Sequence, residues 1–137
     1  MDLHAPVHTV MKTNLVTVSE EDGLDKIMEI FKNQGFRHLP VVQFKTLKGL
    51  ISLSDIAFLF EPHSPGLTEI RNKLNGAGHL KARDLMVSRL GKLEPMDRIE
   101  VAIDIFLNHG IHCLPVVSDG ELVGLVTPND ILRGLVK

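Results

Sequence analysis

Apolar positions along the chain follow two alternating periods, and the same succession occurs twice. Leu24, Ile27, Met28 and Phe31 stand at helical spacing, as do Ile99, Ala102, Ile103 and Phe106. Each set marks one face of an amphipathic helix. A short apolar stretch, Leu15-Val16-Thr17-Val18 in the first occurrence, precedes the helix. Asp22 with Asp25, and Asp97 with Glu100, are placed as N-cap and N3 residues of capping boxes. Gly35 and Gly110 stand where a glycine just past the last turn ends a helix. The continuous apolar runs Leu39 to Val42 and Leu114 to Val117 read as buried strands. In the second occurrence Ser118-Asp119-Gly120 supplies a turn, and Leu122 to Thr127 returns as the partner strand of a hairpin. A last helix starts near Asp55 and again near Asp130. The predicted order is strand, helix, strand, strand, helix, twice over.

The repetition extends to residue identity. Shifting the chain by 75 positions superposes Met11 on Met86, Ile30-Phe31 on Ile105-Phe106 and Asn33 on Asn108. It also superposes Gly35 on Gly110, Leu39-Pro40-Val41-Val42 on Leu114-Pro115-Val116-Val117, Gly49-Leu50 on Gly124-Leu125, and Asp55-Ile56 on Asp130-Ile131. With Leu15, Asp22 and Leu47 on Leu90, Asp97 and Leu122, sixteen of the 46 aligned positions 11–56 are identical without a gap. The chain therefore reads as repeat one over 1–60, a linker over 61–83 and repeat two over 84–137. The linker carries Pro62, Pro65 and Gly66, a modest helical stretch Leu67 to Leu74, and Asn75-Gly76-Ala77-Gly78. One copy is too short to close a core alone, whereas two can pack sheet against sheet with pseudo-two-fold symmetry. The fold class expected is α/β (α+β), built from tandem βαββα repeats.

Composition narrows the function. The 137 residues carry 15 basic and 17 acidic side chains, a formal charge of −2, and neither Trp nor Tyr. Such a balance is no footprint for wrapping nucleic acid, and it lacks the aromatic platforms of single-strand binders. The single Cys113 excludes an intramolecular disulfide and points to a reducing compartment. No apolar run reaches the length of a membrane span, and the first residues lack the shape of a signal peptide. A cytoplasmic protein without membrane attachment is expected. Metal and catalytic readings are weak. His109-x-x-His112 is interrupted by Gly110, and no carboxylate or thiol completes a zinc spacing. His112 and Cys113 are adjacent, so they point to opposite faces and form no dyad; a buried thiol is the expected role of Cys113.

The paired segments resemble a cystathionine-beta-synthase (CBS) domain pair, or Bateman module. The resemblance rests on Val10-Met11 and Leu85-Met86, on Gly35-Phe36-Arg37-His38-Leu39-Pro40-Val41-Val42 with Gly110-Ile111-His112-Cys113-Leu114-Pro115-Val116-Val117, and on Gly49-Leu50-Ile51-Ser52-Leu53-Ser54-Asp55 with Gly124-Leu125-Val126-Thr127-Pro128-Asn129-Asp130. It implies two clefts between the repeats that bind adenosyl compounds, AMP, ADP, ATP or S-adenosylmethionine, as regulatory ligands with no required cofactor. It implies a homodimer that regulates a protein partner, and no catalysis. The expectation is a stand-alone regulatory module. The alternatives are a ligand-free scaffold of the same fold and, behind it, a nucleotide-hydrolysing enzyme.

The residues at the repeat ends suit such a ligand. In Thr127-x-x-Asp130 a helix starts at Pro128, its free N–H groups and dipole favour an anion, and Thr127 offers a hydroxyl. An ionised Asp130 is an acceptor that matches two vicinal ribose hydroxyls. On spacing alone Thr127-x-x-Asp130 and Ser52-x-x-Asp55 are equally good helix caps with an acid at N3, and both roles can coexist. Carried over position by position, the resemblance implies one site of Met11, Val16, Phe36, Arg37, His38, Leu125, Thr127, Asn129 and Asp130. It implies a second of Met86, Gly91, Ile111, His112, Cys113, Leu50, Ser52, Ser54 and Asp55. The first is expected to be the better nucleotide site, because the resemblance implies that Arg37 and His38 face it and Arg37 can fork onto phosphate oxygens. Both depart from the family at the position after the opening Met, where its usual hydroxyl residue is replaced by Lys12 and Val87.

Overall fold

The computed structural model describes residues 1–59 and 80–136. The expected linker helix Leu67 to Leu74 lies outside them. The elements are α1 (Leu24–Gln34), β1 (His38–Gln43), β2 (Thr46–Ser52), α2 (Leu53–Leu59), α3 (Ala82–Leu85), α4 (Ile99–Asn108), β3 (Leu114–Ser118), β4 (Glu121–Val126) and α5 (Pro128–Val136), with a 3-10 turn at Val7–Thr9. The fold is α+β. The expected opening strands shrink to single parallel bridges, Val18 with Val41 and Leu93 with Val116.

Both helix stops form as the glycines require. Gly35 adopts φ 67 at the end of α1, and Gly110 adopts φ 64 just after α4, a left-handed conformation that costs glycine nothing. The helix starts differ from the expected capping boxes. The N-caps are Gly23 and Arg98, without a side-chain cap. Asp22 and Asp97 stand one residue earlier, where each carboxylate accepts the backbone N–H three residues before it. The bonds are Ser19 N to Asp22 Oδ2 at 2.8 Å and Glu94 N to Asp97 Oδ2 at 2.7 Å. Each aspartate closes its own turn, so neither is left to cap the helix.

The chain divides into two compact units that do not follow chain order. Unit one is Met1–Leu15, Lys45–Leu47 and Leu90–Lys137; unit two is Val16–Phe44 and Lys48–Arg89. In unit one β3 and β4 pair antiparallel, Leu114 opposite Val126 through Ser118 opposite Glu121, with a bulge at Val116/Val117. Asp119 (φ 51) and Gly120 (φ 80) make the tight turn, as two-residue hairpins prefer. The core gathers Val7, Leu93, Ile99, Ala102, Leu114, Val116, Val126 and Ile131. In unit two β1 and β2 are hydrogen-bonded neighbours, and the core gathers Val18, Ile27, Phe31, Leu39, Val41, Ile51, Ile56 and Ala82. Seven of these pairs, such as Val7 with Ala82 and Ile131 with Ile56, are related by the same shift of 75.

Each unit is completed by the segment that leads into the other repeat; for unit two this is the end of the expected linker, residues 80–83. In unit one Val7 N donates to Asp97 O at 2.7 Å and Ile99 N to Ala5 O at 3.0 Å. In unit two Ala82 N donates to Asp22 O at 2.8 Å and Leu24 N to Leu80 O at 3.0 Å. Glu21 adds ion pairs with Lys81, at 2.6 Å, and with Arg83. The hydrogen bond from Lys81 is the main reason the Glu21 carboxyl titrates below its usual range, with Arg83 adding to it against the opposing effect of desolvation. These contacts put Val7 and Ala82 into cores whose remaining members lie at least 26 residues away along the chain (82 − 56, for Ala82 and Ile56).

Candidate functional site

The Thr127–Asp130 segment lies where β4 gives way to α5. Thr127 and Asp130 form a reciprocal cap: Thr127 N donates to Asp130 Oδ2 at 2.9 Å, and Asp130 N donates to Thr127 Oγ1 at 3.3 Å. The Thr127 hydroxyl also donates to Oδ2 at 3.0 Å. Pro128 fills the first helical position, where its missing N–H costs nothing. The local sequence thus fixes the carboxylate at the helix start, with its side chain only 4% exposed.

Two cations face the remaining oxygen of Asp130. Lys12 Nζ lies 3.4 Å from Oδ1, and Arg133 Nη1 lies 3.4 Å from the same atom. Arg133 follows Asp130 by three residues on α5, the helical spacing that brings side chains together. Lys12 arrives by another route. Its backbone is bridged to Leu125, N to O at 2.8 Å and O to N at 3.0 Å. Met11 covers Gly124, where an added Cβ would come 2.5 Å from Met11 Sδ and 3.0 Å from Lys12 O. Glycine at 124 is therefore required by the close approach of the opening segment. Cys113 is buried in the same unit, and desolvation pushes its thiol up to about 12, with Lys12 and Asp130 contributing opposing charge effects.

Unit two repeats the backbone of this arrangement and alters its chemistry. Leu50 and Val87 exchange both backbone hydrogen bonds, at 3.0 and 2.9 Å, and an added Cβ on Gly49 would come 2.6 Å from Met86 Sδ. Ser52 ends β2 and Asp55 stands in the first turn of α2. Asp55 is exposed. Val87 holds the place that Lys12 holds in unit one, and Phe58 aligns with Arg133. Among the described residues no cation is paired with Asp55.

The residues of the two expected sites divide between the units. Of the first, Met11, Leu125, Thr127, Asn129 and Asp130 come together in unit one; Val16, Phe36, Arg37 and His38 belong to unit two. There Arg37 O accepts the Leu53 N–H at 2.9 Å, so the Arg37 backbone stands at the start of α2. Of the second, Met86, Leu50, Ser52, Ser54 and Asp55 belong to unit two, and Gly91, Ile111, His112 and Cys113 to unit one. Gly91 lies beside Ile111, His112 is exposed, and Cys113 is buried just before β3. The sequence marks Lys12 only as a departure from the family pattern and gives Arg133 no role. The i to i+3 spacing of Asp130 and Arg133 is a legible signal for one; no local signal marks the other. Among the described residues no three His, Cys, Asp or Glu side chains gather as a metal-holding group, and no helix is long and apolar enough to cross a membrane.

The CBS domain family model matches residues 7–61 and 82–137. The chain belongs to the CBS domain family. Solved structures agree with the fold. Protein MJ1225 of Methanocaldococcus jannaschii has a TM-score of 0.84 at 20% identity, covering 98% of this chain and 49% of that one. The crystal structure of CBSX2 in complex with AMP has a TM-score of 0.80 at 24% identity and covers 96% of each chain. CBSX2 is a CBS-pair protein from Arabidopsis thaliana. Inosine-5'-monophosphate dehydrogenase of Korarchaeum cryptofilum is 29% identical over 86% of this chain, which spans 22% of that enzyme. This CBS pair spans less than half the length of the first curated relatives it matches.

Proposed function

We propose that this CBS pair is a regulatory module that binds an adenosyl ligand of the AMP, ADP, ATP or S-adenosylmethionine class and passes the signal to a protein partner or through a homodimer. The observation that carries the reading is the Asp130 carboxylate. It is fixed by Thr127 at the start of α5, in a family whose member CBSX2 was crystallised with AMP. A carboxylate held there accepts the vicinal hydroxyls of a ribose, and the start of α5 favours the ligand's phosphate. The apolar side chains of Met11 and Leu125, in the same unit as Asp130, would flank the purine. The chemistry asked of these residues is recognition, and no step of catalysis is assigned to them. Regulation then follows if the ligand binds one arrangement of the module better than another, since equal affinity for both shifts nothing.

Calorimetry with AMP, ADP, ATP and S-adenosylmethionine tests the reading, on the wild-type chain and on Asp130→Ala and Asp55→Ala. Binding by the wild type, weakened most by Asp130→Ala, is expected. A larger loss from Asp55→Ala overturns the ranking of the two sites. One observation favours a ligand-free scaffold of the same fold: both Asp130 oxygens already have partners. That reading predicts no binding and no thermal shift with any of the four compounds.

A further inference from the structure

The Asp130 carboxylate is already neutralised by a residue the fold does not need. Lys12 and Val87 occupy equivalent positions and make the same pair of backbone hydrogen bonds, Lys12 with Leu125 and Val87 with Leu50. A valine satisfies that bridge as well as a lysine does. Only the side chain differs, and only Lys12 reaches a carboxylate. Its ammonium is anchored on one side to an acid that is 4% exposed, while its own side chain is 43% exposed and open to solvent on the other. We propose that Lys12 is a specificity-determining residue that makes the Asp130 site take a phosphorylated adenosyl ligand and reject the bare nucleoside.

The proposal rests on the adenosyl reading above and deepens it. Thr127 uses Asp130 Oδ2 twice, so an incoming ribose diol must compete for Oδ1, where Lys12 and Arg133 sit. A nucleoside that displaces the ammonium leaves Lys12 without a counter-charge beside a buried site. A nucleotide that does so brings a phosphate to which the freed ammonium can turn, replacing one charge-assisted contact by another. The flexible four-carbon stem of lysine allows that movement, with three donors available in any direction. Arg133 stays on α5, 3.4 Å from Asp130 Oδ1, and remains paired with the carboxylate during the exchange.

Isothermal titration of AMP and adenosine into the full chain tests this, with Lys12→Val and Lys12→Arg as variants. Lys12→Val copies the residue found at position 87, so its folding is checked by a thermal melt against the wild type. The wild type is expected to prefer AMP over adenosine by at least about tenfold, the scale of one hydrogen bond to a charged group. Lys12→Val brings that ratio close to one, by removing both the phosphate contact of AMP and the penalty on adenosine, and Lys12→Arg restores it. The wild-type preference also falls with added salt. An AMP preference that survives in Lys12→Val overturns the role of Lys12 and leaves the adenosyl reading standing. Failure of the wild type to bind either compound overturns both.

Discussion

Adding one methyl group at Gly124 is expected to destabilise the chain by about 1–2 kcal/mol. The new Cβ would lie 2.5 Å from Met11 Sδ, 2.9 Å from Met11 Cγ and 3.0 Å from Lys12 O. The thioether can swing away; the carbonyl cannot, because Lys12 is tied to Leu125 through both its N–H and its C=O. Overpacking of this kind costs about 1–3 kcal/mol. Replacing glycine by alanine returns about 0.4–1 kcal/mol by restricting the unfolded chain. The difference lowers the Tm by roughly 4 °C for each kcal/mol in a chain of this size. Urea unfolding followed by circular dichroism measures it. The cause is isolated by Met11→Ala, alone and combined with Gly124→Ala. If the clash is the origin, the double variant recovers part of the loss, with a coupling of about 1 kcal/mol. A Gly124→Ala chain as stable as the wild type, or strict additivity in the double variant, would refute the close packing of the opening segment on β4.

Asp130→Ala is expected to cost about 1–3 kcal/mol in urea unfolding, because it strips the α5 cap and leaves the Thr127 N–H without its acceptor. Asp55→Ala, at an exposed position, is expected to fall within about 0.5 kcal/mol of wild type; equal costs would contradict the burial difference. Phe44 is 95% exposed with φ 60, a conformation that costs an L-residue about 1–2 kcal/mol and asparagine less. Phe44→Asn should therefore raise the urea midpoint, and a lowered midpoint would assign the phenyl ring a stabilising contact. The Cys113 thiol, held near 12 by burial, should stay unreactive to a disulfide reagent at pH 8 until the chain unfolds. In the unfolded chain it ionises near ~8.5. A thiol whose folded value is the higher one contributes its full stability below that pH and loses it as the pH climbs toward 12. Wild type should thus lose more stability than Cys113→Ala between pH 8 and 10, and parallel losses would refute the assignment.

Elements that local chemistry dictates were legible in the sequence. The 3.6-residue stripes give α1 and α4, Gly35 and Gly110 stop them, and Asp119-Gly120 turns β3 into β4. The Thr127/Asp130 cap was legible for the same reason, since both partners lie within one turn. The helix starts were less so. An aspartate before a helix can bond forward to cap it or backward to close its own turn, and spacing does not separate the two; Asp22 and Asp97 bond backward. The ion pair of Lys12 with Asp130 had no local signature at all. It depends on residues 118 positions apart (130 − 12) being brought together by the Lys12–Leu125 bridge, and periodicity carries no information at that distance.

The mutual lending of opening segments ties the inheritance of the two repeats together. Val7 sits in one core with Ile131, and Ala82 sits in the other with Ile56. A gene truncated to either repeat would encode a chain missing a piece of its own interior, which only a second molecule could lend. Neither copy is therefore free to be lost or traded singly over evolutionary time. Their surfaces are free to drift apart, and the lysine at 12 against the valine at 87 is one place where they have.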